Sequence, residues 1–237
     1  MPRSQGGAHA AAARRRTAVD DERAPRWVRG TLWFGLVAVT AYVLGWLVAG
    51  RVRAGYDPTQ QAISELFELG APWSSRGLMV VGLALSGVAF LLLGPVLDRC
   101  LPGEGRLGPA LVVLAGLGTL GVIAAPCSPG CPGAATTAFD RWHTITAGVG
   151  YGALVLAPLA FAWRLRAAER ALAWWSVAIG GVAGALFLGY LGGAFDAAPG
   201  LAQRVFNTLA DAWYVLIVVW LLRRDRRWWG RGREVAP

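Results

Sequence analysis

The chain reads as an all-α, polytopic transmembrane helical bundle of six spans with both termini cytoplasmic, and three observations predict it. Hydrophobic residues make up 55% of the 237 positions and charged residues only 16%, a membrane composition. The apolar positions come in long blocks of about 20 residues, enough to cross a hydrocarbon core about 30 Å thick, and not as short amphipathic stripes. The basic residues are all arginine, 23 in number, and most flank the blocks on one side.

Residues 1–26 are rich in Ala, Gly and Arg without apolar periodicity and read as a disordered tail. The basic leader is long and the first block has full spanning length, which favours an uncleaved first helix over a signal peptide. The six-helix domain then covers residues 27–223. A basic tail over 224–237, with arginines around Trp228 and Trp229, reads as an interfacial anchor on anionic lipid.

The first block runs approximately from Thr31 to Gly50. After it comes a polar segment that opens Tyr56-Asp57-Pro58-Thr59-Gln60 and continues Gln61-Ala62-Ile63-Ser64-Glu65-Leu66. Asp57 as cap, Pro58 at the first position and Gln60 as capping-box partner predict a helix start there. Ile63, Leu66 and Phe67 would lie on one side, with Gln60, Ser64 and Glu65 largely off it, and Gly70 and Pro72 would end it. The expectation is a short amphipathic helix against the membrane or the tops of other helices.

The second block, Gly77 to Leu97, is nearly all Leu, Val, Ala and Gly, a packing element. Cys100 in the short turn beyond it reads as incidental. The third block is Gly108 to Ala125, the fourth His143 to Trp163 and the fifth Ala171 to Leu191. The pairs Gly148/Gly152, Gly180/Gly184 and Gly189/Gly193 have the four-residue spacing that lets helix backbones approach closely in lipid. Between the third and fourth blocks, Cys127 and Cys131 flank a Pro-Gly turn. On an outer face this favours a disulfide over free thiols or a metal pair.

Asp140 and His143 open the fourth block. His9 and His143 are the two histidines of the chain, which rules out a multi-histidine zinc enzyme, and neither a metal nor another cofactor is expected. In the sixth block, Val205 to Leu222, residues Arg204, Asn207, Asp211 and Tyr214 are spaced by three, four and three and share one helix face. Counted from Val205, Asp211 lies about 9 Å along the helix. A carboxylate facing lipid there is costly, so the stripe should face the bundle, with His143 as a reasonable partner for Asp211.

Seven arginines precede the first block, two lie between the second and third, three between the fourth and fifth, and six follow the last. Only Arg51, Arg53, Arg76, Arg141 and Arg204 lie on the opposite side. The positive-inside rule then places both termini in the cytoplasm of a multi-pass cell-membrane protein. The net charge of +9 speaks of topology and of contact with anionic lipid heads. Nucleic acid is excluded as a partner, because the arginines form short juxtamembrane clusters and no single basic face. Another membrane protein or a second copy of the chain is the remaining partner class.

Three functional readings compete. The first is a non-enzymatic, envelope- or lipid-associated membrane protein with an outward-facing polar site built from Asp57, Ser64, Glu65, Asp140, His143, Arg204, Asn207 and Asp211. The second is an outer-face lipid-modifying hydrolase or transferase with Ser64 as nucleophile, His143 as base and Asp57, Asp140 or Asp211 as orienting carboxylate. The third is a small-solute or proton-coupled transporter using Asp211 and His143.

Tyr56-Asp57-Pro58, Ile63-Ser64-Glu65-Leu66, the stretch His143-Thr144-Ile145-Thr146-Ala147-Gly148, and Gly200-Leu201-Ala202-Gln203-Arg204 together carry a resemblance. In their order and their placement relative to the blocks, the chain resembles the domain-of-unknown-function 998 family of six-span prokaryotic membrane proteins, over roughly residues 30–222. The His before the fourth block and the Ile-Ser-Glu-Leu loop are more weakly similar to the Frag1/DRAM/Sfk1 membrane proteins. The resemblance implies a fold and a membrane location and brings no activity with it. The Cys127/Cys131 pair stands outside the family pattern.

Overall fold

The computed structural model describes residues 24–132 and 136–224. Almost all of the two terminal tails expected from the sequence lies outside the described residues, His9 and the Trp228-Trp229 anchor included. Six helices follow in order: α1 Arg26–Val52, α2 Trp73–Cys100, α3 Leu107–Ala124, α4 Ala138–Leu165, α5 Arg170–Leu191 and α6 Pro199–Arg223. A five-residue 3-10 helix, Ile63–Phe67, sits between α1 and α2. All six long helices are long and apolar enough to cross a membrane, and no strand occurs among the described residues.

Each helix matches one apolar block to within a residue or extends beyond it. At α4, Thr137 accepts from the Asp140 backbone N–H while the Asp140 carboxylate accepts from the Thr137 N–H, so the helix begins one turn before the apolar block. At α6, Pro199 occupies the first turn, where its missing N–H loses nothing.

Consecutive helices pack side by side, and α1 meets α6 to close a ring. α6 presents its inner face to the middle of this ring: Trp213, Tyr214, Ile217 and Leu221 are buried. Phe161 of α4 lies 5.4 Å from the Trp213 ring, and the Trp213 indole donates to the Ser176 hydroxyl of α5 at 2.8 Å. The outside is the reverse, with Trp33, Leu44, Val81, Trp163 and Leu188 about half exposed or more. That is the surface a helix offers to hydrocarbon once its backbone is satisfied internally.

The close helix approaches fall mostly on glycines other than the spaced pairs. A Cβ on Gly118 of α3 would lie 2.5 Å from the Gly150 Cα of α4, so these two backbones touch. Gly180 does pack, against Pro158 and Leu159, whereas Gly148, Gly152 and Gly184 have nothing within 4 Å of an added Cβ. Four-residue spacing marks a small face, and the neighbour's position decides whether that face is used.

The bundle has two unlike ends. The arginine end holds the α2–α3 and α4–α5 connections. There the Arg164 guanidinium binds the Asp98 carboxylate at 2.7 Å and donates to the carbonyls of Asp98, Leu101, Pro102 and Gly105. The loop end holds the 53–72 segment, the 125–137 connection and the 192–198 turn.

Candidate functional site

At the loop end the polar segment does not form the helix its residues predict. Asp57 accepts from the Thr59 N–H and hydroxyl at 2.8 and 2.7 Å, and the Gln61 side chain turns back to the Asp57 N–H at 2.8 Å. The capping signals are thus satisfied within one turn. Ala62 is extended at φ −68° and ψ 154°, which stops a helix there, and a new one-turn helix starts at Ile63 with the Glu65 carboxylate on the Ala62 N–H.

The reason lies on α6. Arg204 donates to the carbonyls of Pro58, Gln61 and Gly200 at 2.7, 2.9 and 2.8 Å and to the Tyr56 hydroxyl. The Pro58 and Gln61 carbonyls, which a continuing helix would need, are taken by its guanidinium. The segment also presses onto Gly200, where a Cβ would come within 2.3 Å of the Gln61 carbonyl oxygen. Ile63, Leu66 and Phe67 are buried, so the segment is seated on the tops of the helices.

A second tie joins the remaining loop. Arg53 bridges to Glu68 at 2.6 Å and donates to the Glu65 carbonyl. The other Glu68 oxygen accepts from the Gly130 N–H at 2.6 Å. Gly130 lies inside the ring closed by the Cys127–Cys131 disulfide. Asp140 holds that ring from below, accepting from the Ser128 N–H and hydroxyl and from both Thr136 and Thr137.

Beneath this lid lies a cavity of about 690 Å³, the size of a small-ligand site. Its walls mix apolar and aromatic residues, Phe67, Leu83, Phe90 and Phe187, with the polar Ser64, His143, Tyr151, Gln203, Asn207 and Asp211. Gln203 ties lid to wall: it accepts from the Ile63 N–H at 2.7 Å and donates to the Tyr151 hydroxyl at 3.1 Å.

Asp211 is the middle residue of α6, about 18 Å from the helix start at 1.5 Å per residue. The 9 Å counted from Val205 is the same position measured from the start of the apolar block, since the helix begins earlier, at Pro199. One carboxylate oxygen meets the Asn207 amide at 3.4 Å, and that amide also donates to the Tyr42 hydroxyl at 3.1 Å. The other oxygen has no hydrogen-bond partner, and no salt bridge reaches Asp211, among the described residues.

His143 is not the partner of Asp211. Its Nδ1 lies 2.9 Å from the Ala125 carbonyl. A carbonyl only accepts, so Nδ1 carries the proton and Nε2 is left as the acceptor of the neutral ring. A ring nitrogen also comes within 4.8 Å of the Cys127 and Cys131 sulfurs, but sulfurs bonded to each other offer no thiolate to a metal.

The eight binding candidates therefore divide. Asp57, Glu65, Asp140 and Arg204 hold the lid and the loops. Ser64, His143, Asn207 and Asp211 line the cavity with free or half-used polar atoms. Among the described residues no hydrogen bond joins Ser64 to His143, or His143 to a carboxylate. Sequence reasoning passed over Tyr42, Tyr151 and Glu68; the signal for the two tyrosines was a hydroxyl within a spanning block, which needs a partner inside the bundle.

The cavity is open near the loop end. Its exposed lining residues are Thr144 and Gly148 on α4, Leu191 at the end of α5, and Asp196 in the following turn. α4 and α5 meet where Gly180 lies on Pro158, and toward the loop end neither Gly148 nor Gly184 has a neighbour. The gap is a seam between two spans.

Six apolar helices in a closed ring around an amphiphilic cavity define a multi-pass membrane protein. The chain belongs to the DUF998 family, described as proteins of unknown function, whose family model matches residues 36–220. Neither a curated protein nor a solved structure matches the chain.

Proposed function

We propose that the protein is a non-enzymatic binder of a membrane amphiphile, acting in envelope or lipid organisation, with the loop end facing outward. The carrying observation is that the exposed lining residues lie on α4, at the end of α5 and in the turn after it. A ligand with its head beside Asn207 and Asp211 would have its tail leave between α4 and α5, where exposed Leu191 and Gly148 border the gap. A through-path for a transporter would have to cross the arginine end, where Phe161, Trp213, Ile217 and Leu221 are buried beneath the Arg164 clamp. The orientation rests on the arginine asymmetry.

The test is to purify the full chain in an uncharged detergent and quantify co-purifying lipid by mass spectrometry, for the natural sequence and for Gly148→Leu. An added Cβ at this exposed position meets nothing within 4 Å, so the side chain can be added at the seam. A bound amphiphile near one per chain, reduced at least fivefold in the variant, is expected. Equal retention in both, or no stoichiometric amphiphile in either, would overturn the reading. For orientation, Thr59→Cys in the exposed lid should react with a membrane-impermeant maleimide on intact cells. Reaction only after permeabilisation would invert the topology.

A further inference from the structure

The net charge of the chain is +9, yet the charged residues lining the cavity are Asp140, Asp196 and Asp211, with no arginine among the described lining residues. Asp140 is saturated by the disulfide loop and Thr136–Thr137. Arg204, the nearest cation on α6, spends its NH1 and NH2 groups on the lid. That leaves Asp196 at the opening and Asp211 within.

Asp211 is 3% exposed, holds one oxygen without a partner, and has only a 3.4 Å contact on the other. His143, 7% exposed, turns its proton to Ala125 and keeps an unpartnered acceptor nitrogen. With Asp211 ionised, the unused polar atoms of these two side chains are acceptors. A buried carboxylate without a cation or a full set of donors is unfavourable, so the cavity is electrostatically incomplete as it stands. The rings of Tyr42, Phe90, Tyr151 and Tyr190, all lining it, offer faces that attract cations.

We infer that the cavity takes an amphiphile whose head is an ammonium group, held by Asp211 with hydrogen-bond support from the Asn207 side-chain oxygen among the tyrosine rings. This rests on the amphiphile reading above and adds the charge and donor character of the head. Asp196 then acts as an outer attraction point at the seam. The ammonium could belong to a lipid or to a small soluble amine, and the experiment separates the two.

The full chain in dodecyl maltoside micelles is titrated with three probes: dodecylammonium, dodecyl sulfate and ethanolamine. Dodecylammonium is expected to bind at least tenfold more tightly than the other two, and Asp211→Asn to cut its advantage over dodecyl sulfate to threefold or less. Equal binding of dodecylammonium and dodecyl sulfate would overturn the ammonium head and leave the amphiphile reading standing. Ethanolamine binding as tightly as dodecylammonium would keep the ammonium site and remove the amphiphile. No binding of any probe would remove both. An undiminished preference in Asp211→Asn would overturn the role of Asp211. The ranking by the natural chain decides the charge question even where the variant does not fold.

Discussion

Arg164 and Arg204 sit at opposite ends of the bundle and do the same chemistry. Each is under 10% exposed and gathers several backbone carbonyls of a connecting loop onto one guanidinium. What lies beneath them differs. Under Arg164 the helices are filled by Phe161, Leu165, Ile217 and Leu221. Under Arg204 there is the cavity. Arg164 also has a carboxylate, Asp98, whereas Arg204 has only neutral acceptors, and its Nε is buried without a partner. One arginine seals a packed end; the other frames a lid over an open one. A membrane bundle can therefore place a site at one end without loosening its loops, because a buried guanidinium replaces the packing that the cavity removes.

Breaking each clamp tests this contrast. Arg164→Ala leaves Asp98 and four carbonyls short of a donor and should destabilise the detergent-solubilised chain most, by about 3 kcal/mol, read as a fall in thermal midpoint. Arg204→Ala should lose about 2 kcal/mol, with the larger signature local: faster amide exchange over residues 56–62 and none at 98–105. Raised exchange at both ends in either variant would mean the ends are coupled.

Reducing the Cys127–Cys131 disulfide acts at the loop end alone. Closing so short a ring limits the unfolded chain by about 2 kcal/mol in the chain-entropy picture, so Cys127→Ser with Cys131→Ser should lower the midpoint by no more than Arg204→Ala does. A drop exceeding that of Arg164→Ala would make the disulfide, and not the arginine, the chief fastening of the lid.

The smallest effect concerns acid. Hydrogen bonds from the Thr59 hydroxyl and N–H hold the Asp57 carboxyl below its ordinary value. Its folded-state value being lowered, the contribution is present above the usual carboxylate range and is lost as pH falls through the depressed value. Lid exchange should therefore rise on acidification below about pH 4, and Asp57→Asn should flatten that dependence. An identical acid profile in the variant would assign it to another carboxylate.

The parts legible in the sequence were those carried by short spacing. Block length gave the six spans, and the three-four-three spacing put Arg204, Asn207, Asp211 and Tyr214 on the buried face of α6, because a helix period is local information. What Arg204 does was not legible. Its partners Pro58 and Gln61 lie more than 140 residues away, and backbone carbonyls leave no mark in composition. The same long-range capture turned a well-signalled helix start at Asp57 into a single turn. Pairing Asp211 with His143 failed for a related reason: the nearer acceptor for His143 was the Ala125 carbonyl at the end of α3, which any residue there would supply.

The seam between α4 and α5 changes what affinity means for this protein. On the amphiphile reading, a cavity bordered by Thr144 and Gly148 on one span and Leu191 on the next would sample ligand dissolved in the bilayer and not in the aqueous phase. Each methylene of a tail adds about 0.8 kcal/mol to partitioning into hydrocarbon, so tail length sets how much ligand reaches the seam while the head decides how long it stays. Occupancy then follows the ligand's mole fraction among lipids. Two amphiphiles of equal molarity but different tails would fill the site to different extents with no change in the contacts made at Asp211.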